Sequence, residues 1–354
     1  MKKVLLLFVL ASLVFGLAAC NRTRLKVYMP GEYIDSTLVR AFEKEYGVRV
    51  DIITFDSNES AIPQIKANVY DVIVPSDYAI EELVSEGLLE EIDWELITNL
   101  NVAEDLDPAL LSILTGLKEQ AGGFDLLKYG VPYFWGNVGI LYNTETVALS
   151  FLEEQGWNAL RHHEYDVMFY DSSRDSFMIA LMDLYGGDVD INNPTQAQLN
   201  AAEAWLIAAK GPNTQFLTDE VLDDMLHPAR HDMAVVYSGD AVYLMYENDQ
   251  LGYYVPDSGT NVWVDAFVVP LNSSQRELAY AFINFMVSFD AMLDNTFEIA
   301  YTSPRADVIA EVIADGEYDI ESYVIIIREN DQLFRYNTAL KQQIEQAWAR
   351  VRAA

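Results

Sequence analysis

Short apolar runs alternate along the chain with segments whose apolar positions recur every three or four residues. "LKVYM" (25–29) is the first run and predicts a strand. In "GEYIDSTLVRAFEKEYG", Leu38, Phe42 and Tyr46 lie four apart, which places them on one helix face. Asp35 or Ser36 can cap that helix and Gly47 can end it. "VRVDIITF" alternates as a second strand, "ESAIPQIKAN" reads as a helix, and "YDVIV" supplies a third strand. "SDYAIEELVSEGLLEEI" continues helically with Ile80, Leu83 and Leu88 or Leu89 inward. Strand, helix, strand, helix, strand predicts an α/β lobe with a mainly parallel sheet and helices on both faces.

"YGVPYFWGNVGILYNTETV" (129–147) is β-branched and aromatic throughout, and reads as a long strand leaving one lobe for the next. A second α/β run follows. It holds the strand "YDVMFY", a helix with Phe177, Leu181, Leu184 and Tyr185 on one face, the helix "TQAQLNAAEAWLIAAK" and the strand "HDMAVVY". "NVWVDAFVVPL" is again strand-like. "SSQRELAYAFINFMVSF" predicts a helix opened by a Ser274–Glu277 capping box, with Leu278, Phe282, Phe285 and Met286 inward. "NTALKQQIEQAWARVRAA" is the last helix. With 354 residues, 51% of them hydrophobic, the chain can fill two lobes.

Three strand ends echo one another: "YDVIVPSDY", "YDVMFYDSSRD" and "HDMAVVYSGD" each run from a ring or imidazole plus Asp, through apolar residues, into a polar cluster. In open α/β sheets ligands bind beyond the carboxyl ends of strands, so a cleft between lobes could gather these clusters. The residues there are acids and rings. Carboxylates come from Asp77, Asp171, Asp175, Asp240 and Asp265, and rings from Tyr33, Tyr78, Tyr133, Tyr237, Trp263 and Tyr301. Lysine is absent from these clusters and Arg174 is the one arginine within the strand ends. Such a set suits an organic cation with an apolar chain, since carboxylates take ammonium groups and ring faces cover methylenes. Asp175 and Asp240 also fit the first turns of helices, so capping and ligand roles both stay open for them.

The formal charge of −33 excludes nucleic acid as a partner, opposes adsorption to anionic lipid, and would draw a cationic solute toward the surface. Residues 1–20, "MKKVLLLFVLASLVFGLAAC", read as a secretory leader too short for a typical spanning helix. Its end resembles a lipoprotein box. Cys20, the chain's single cysteine, then becomes a lipid-modified N-terminus that tethers the protein to the membrane. No nucleophile elbow, zinc-protease motif, P-loop or dinucleotide fingerprint is present, so no catalytic residue, metal or cofactor is assigned. His162, His163, His227 and His231 read as surface residues. Two rival functions stay open at this point: a receptor for iron or thiamine, and a secreted hydrolase using a carboxylate pair.

Taken in order, "LKVYMPGEYI", "FDSNES", "YDVIVPSDY", "VPYFWG", "NVWVDAFVVP" and "AYTSPR" resemble the bacterial spermidine/putrescine-binding proteins of polyamine ABC importers. The resemblance spans nearly the whole mature chain. It implies a two-lobed periplasmic-binding-protein fold, with crossings near Trp135, Trp263 and residue 308. Residues 24–136 and 263–308 would then form the first lobe, and 137–262 and 309–354 the second. It further implies a periplasmic receptor, expected as a monomer on its lipid anchor, that hands a polyamine to an inner-membrane ABC permease. Carried over position by position, its ligand residues fall on Tyr33, Ser76, Tyr78, Asp175, Tyr237, Asp240, Trp263, Asp265, Tyr301 and, across gaps, Gln332. This chain departs from the family pattern in having Pro30-Gly31 where Trp-Thr is usual, Tyr237 where Trp is usual and Ser172 where an acid is frequent. These changes remove ring walls and donors and imply a looser pocket.

Overall fold

Strands β1 (Arg24–Pro30), β2 (Arg49–Phe55) and β3 (Val72–Ile73) lie parallel in the order β2-β1-β3. The computed structural model describes residues 23–354 apart from 121, 219 and 317, so the leader and the lipidation expected at Cys20 lie outside the described residues. The Ser36–Tyr46 helix begins where the Asp35 carboxylate accepts from the Thr37 amide, and stops at Gly47 in the left-handed region (φ +67). Leu38 and Phe42 are buried, whereas Tyr46, expected inward, is exposed and stacks 4.4 Å over Phe42. The Asn58–Ala67 helix opens with a reciprocal Ser57–Ser60 capping box.

β3 is shorter than its apolar run, although the Asp71 and Val74 amides still bond the Lys26 and Tyr28 carbonyls at 2.9 Å, and the Asp71 side chain anchors it. Its buried Oδ1 accepts from the Ser274 and Gln275 amides and the Ser273 and Ser274 hydroxyls, and its Oδ2 from the Lys26 amide. With Ser274 so engaged, the expected Ser274–Glu277 capping box does not form, and the Arg276–Met286 helix starts without a side-chain cap. The helix after β3 covers only Asp77–Ser85. Gly87 (φ +69) follows its end, and Leu89 pairs instead with Pro270.

The larger sheet has the order β10-β9-β4-β7-β5-β6, with β8 on the other side of β4. Its strands are β4 (Val131–Asn143), β5 (Val167–Tyr170), β6 (Thr214–Leu217), β7 (Met233–Tyr237), β8 (Leu251–Tyr254), β9 (Asn261–Phe267) and β10 (Gln332–Leu333). The larger sheet is mixed rather than mainly parallel, because its three antiparallel strand pairings run through β4, whereas the smaller sheet is parallel throughout. That strand changes partner along its length: residues 131–137 pair with β9 and residues 138–142 with β7. An Ile73–Val268 bridge, with N–H···O distances of 3.0 and 2.8 Å, ties β9 to β3 and so joins the two sheets.

Trp135, Tyr133, Phe134 and Phe267 fill the junction with almost no exposure. Helices pack along both sheets, among them Ser173–Tyr185 and Gln196–Ala209 in the second half, although Leu184 faces outward. His231 is also unlike its expectation: it is buried, between Asp166 at 3.5 Å and Asp224 at 3.4 Å. None of the described helices is long and apolar enough to cross a membrane.

Candidate functional site

β9 carries Trp263 and Asp265 two residues apart, hence on one face of a strand that is buried throughout. The turn after β1, with Glu32 at φ +50, brings Tyr33 to that face, and its hydroxyl donates to Asp265 Oδ2 at 2.8 Å. Ser76 reaches the same point through a backbone bridge to Asp265. Its amide and hydroxyl are held by the Asn58 side chain at 3.2 and 2.9 Å. Asp265 Oδ1 is buried and has no hydrogen-bond partner. Burial pushes the Asp265 carboxyl up to about 6, against the lowering pull of the Ser76 and Tyr33 hydroxyls. A carboxylate held this way gains when a cation replaces the water it has lost.

Rings surround it in a connected set. Tyr33 meets Tyr301 edge-on at 5.3 Å, Tyr301 meets Trp263 at 5.5 Å, and Trp263 meets Tyr237 at 5.9 Å. The Tyr301 hydroxyl donates to Asp240 Oδ1 at 2.8 Å. Gly239 permits this approach, since a Cβ there would run into the Tyr301 ring. Asp240 lies in the first turn of the Ser238–Glu247 helix, where the dipole also favours an acid. Tyr237 donates to Asp175 Oδ2 at 2.9 Å. Asp175 is 4% exposed, and capping of its helix falls to Ser172, whose hydroxyl accepts from the Asp175 amide. The second oxygen, Asp175 Oδ1, is buried without a partner, and burial raises the carboxyl above its ordinary range.

A third group stands beside these. The Tyr78 hydroxyl donates to Glu59 Oε1 at 3.0 Å, the Arg174 guanidinium lies 4.1 Å over the Tyr78 ring, and Phe334 meets that ring edge-on at 6.0 Å. Asp77, one of the strand-end carboxylates, is buried. Its carboxylate accepts from the Tyr78 amide at 2.6 Å and the Val264 amide at 3.1 Å, and burial pushes it up to about 8. Further out, Glu81 accepts from Arg335 Nη2 and Nε at 2.7 and 2.9 Å, and Lys341 Nζ meets Glu82 at 3.0 Å.

The fold therefore brings Tyr33, Ser76, Asp175, Tyr237, Asp240, Trp263, Asp265 and Tyr301 into one contact chain, with Tyr78 in the group beside it. It does not bring Gln332 there. The Gln332 amide group is spent on the backbone of the second half, accepting from the Ile191 amide at 3.1 Å and donating to the Val189 carbonyl at 2.8 Å. Phe334, two residues on, lies against Tyr78 instead, and neither it nor Glu59 stood out among the sequence candidates. Glu59 had a signal in "FDSNES"; Phe334, in "DQLFRY", had none. The pair of buried carboxylates with vacant hydrogen-bonding capacity, separated by the Tyr237 and Trp263 rings, can accept an organic cation with more than one ammonium group.

The family described as "Bacterial extracellular solute-binding protein" matches residues 37–342. The chain is 27% identical over 303 residues to the "Spermidine/putrescine-binding periplasmic protein" of Salmonella typhimurium, covering 83% of this chain and 82% of that one. It is 27% identical over 324 residues to the "Putrescine-binding periplasmic protein SpuD" of Pseudomonas aeruginosa, covering 86% and 84%. Among solved structures, a "Putative spermidine/putrescine ABC transporter from Listeria monocytogenes" superposes with a TM-score of 0.78 at 29% identity, over 93% of this chain and 99% of that one.

Proposed function

Because the chain belongs to the bacterial extracellular solute-binding proteins, we propose that its cleft binds a polyamine of the spermidine/putrescine class. It is an extracytoplasmic receptor of the periplasm, without catalytic activity, that delivers its ligand to an ABC permease. The observation that carries the ligand reading is the buried, half-partnered Asp265 carboxylate beside Tyr33 and Trp263, a place where an ammonium group is stabilised by charge and by ring faces.

The two lobes are residues 24–136 with 263–308 and residues 137–262 with 309–354; the change of β4 partner after Asn137 supports this division. Asp265 and Asp175 hold ammonium groups, Asp240 adds negative charge, and Tyr33, Tyr78, Tyr237, Trp263 and Tyr301 line the methylenes. Ser76 fixes the strand end beside Asp265. The protein acts as a monomer tethered to the inner membrane through lipid on Cys20, which the leader ending "LAAC" supports. Lobe closure over the ligand presents the state that the permease recognises.

Thermal melting of the full chain with putrescine, spermidine, thiamine and ferric iron tests the reading. A polyamine at 100 times its dissociation constant should add about 2.7 kcal/mol of stability. Stabilisation by thiamine or iron alone would refute it, and turnover of a chromogenic glycoside would restore the hydrolase reading.

A further inference from the structure

Resting on the polyamine reading, we propose that Asn295 is a positioning residue for the ligand: together with Tyr133 it holds the turn that carries Tyr33, and so sets the Tyr33 hydroxyl on Asp265. Asn295 lies within the Phe289–Ile299 helix and has no exposed surface. An amide buried there must be matched at both of its ends. Its Oδ1 accepts from the Asp35 backbone amide at 2.7 Å, and its Nδ2 donates to the Tyr133 hydroxyl at 2.6 Å. That hydroxyl in turn donates to the Tyr33 backbone carbonyl at 2.6 Å. One side chain thus grips the backbone on both sides of Ile34, directly at Asp35 and through Tyr133 at Tyr33.

The turn needs such a grip. Glu32 stands exposed at φ +50, a left-handed conformation that residues with a side chain rarely adopt. Gly31 before it is exposed, and a Cβ there would meet nothing within 4 Å, so packing on that side does not fix the turn. Support comes from the inner side, where the fully buried Tyr133 meets the Tyr33 ring edge-on at 5.4 Å. The helix that carries Asn295 leads through Ala300, also left-handed at φ +59, into Tyr301. Tyr301 meets the Tyr33 ring at 5.3 Å and donates to Asp240. Asn295 therefore ties together the two segments that bring Tyr33 and Tyr301 to the cleft. A shift of about 1 Å in the turn would take the Tyr33 hydroxyl, now 2.8 Å from Asp265 Oδ2, beyond hydrogen-bond reach.

Isothermal titration of the full chain tests this, with putrescine and spermidine on wild type and the tighter of the two on the variants. Tyr133→Phe removes one hydroxyl and keeps the ring; it and Asn295→Ala should each weaken binding by about tenfold. In a Tyr33→Ala background, Tyr133→Phe should cost less than about threefold, because its route to the ligand is gone. The pH profile supplies a readout that a loss of stability alone would not move. The Tyr33 hydroxyl lowers the Asp265 carboxyl against burial, while the Ser76 hydroxyl, the Asp77 carboxyl and the Tyr301 phenol around it are unaltered by these variants. Misplacing Tyr33 raises that carboxyl, so the acid loss of affinity should begin about half a pH unit higher in Tyr133→Phe than in wild type. Affinity of Tyr133→Phe within about threefold of wild type overturns the proposal, as does a loss that persists undiminished in Tyr33→Ala or an unmoved acid limb. If an alanine variant fails to fold, Tyr133→Phe and its acid limb decide. Binding of neither amine to wild type sinks the polyamine reading itself, a result distinct from retained affinity in Tyr133→Phe.

Discussion

Asp265→Asn separates what this carboxylate does for the ligand from what it costs the fold. In the folded protein burial raises its pKa from 3.8 to about 6. An acid whose folded pKa is raised holds its proton in the folded state over a range where the unfolded chain has lost it. Its presence therefore costs stability increasingly from about pH 4 to about pH 6, and the cost is constant above that. Two pH units correspond to about 3 kcal/mol at pH 7. Asparagine removes the charge and can still accept from Tyr33, but it leaves an amide donor where Oδ1 lacked a partner, at about 1–2 kcal/mol. The ligand-free variant should then be more stable than wild type by about 1–2 kcal/mol at pH 7, a rise of a few degrees in melting temperature. That gain should reverse at pH 4, where the wild-type carboxyl is already neutral and only the amide cost of about 1 kcal/mol remains. Removing one partner of a buried ion pair costs about 3–5 kcal/mol, so polyamine affinity should fall between about a hundredfold and a few thousandfold. Differential scanning calorimetry and isothermal titration read the two effects. Affinity within tenfold of wild type, or a lower melting temperature at pH 7, would refute the reasoning.

Three other outcomes follow from the same geometry. Below pH 6 an ammonium ligand must expel the Asp265 proton, so wild-type affinity should weaken about tenfold per pH unit, a slope that titrations at pH 4.5–7 should find missing in Asp265→Asn. Gly239→Ala should push the Tyr301 ring off Asp240 at an overpacking cost of about 1–3 kcal/mol, seen as lower affinity by titration. Arg335→Ala breaks the double contact to Glu81 and should weaken putrescine and spermidine by the same factor, with a more open ligand-free form in small-angle scattering; a ligand-selective loss would contradict this.

Interactions within a few residues of sequence were readable without the fold. The Leu38–Phe42 spacing, the Asp35 cap and the Gly47 stop specify one helix because each depends only on neighbours three or four positions away. The apolar runs likewise marked β1, β2, β4, β7 and β9, and the inventory of acids and rings marked the chemistry. The same local logic failed at Ser274. Its capping box lost to Asp71, some two hundred residues earlier, which takes its amide and hydroxyl instead. It failed again at His231, whose enclosing acids Asp166 and Asp224 become its neighbours only in the folded chain.

What the sequence determined by itself was the alternation of strands and helices, the excess of negative charge, and which residue types could meet a cation. Only the tertiary structure decided which of them meet. Tyr33 reaches Asp265 across 232 positions, Tyr237 reaches Asp175 across 62, and Gln332 is turned away to the backbone of Val189 and Ile191. Whether a carboxylate is left with a vacant oxygen, as at Asp175 and Asp265, or is matched by an internal cation, as at Glu59, depends on such distant contacts. The physical reason is range: caps and periodicity act along the chain, whereas desolvation and charge pairing act through space and have no spacing in sequence.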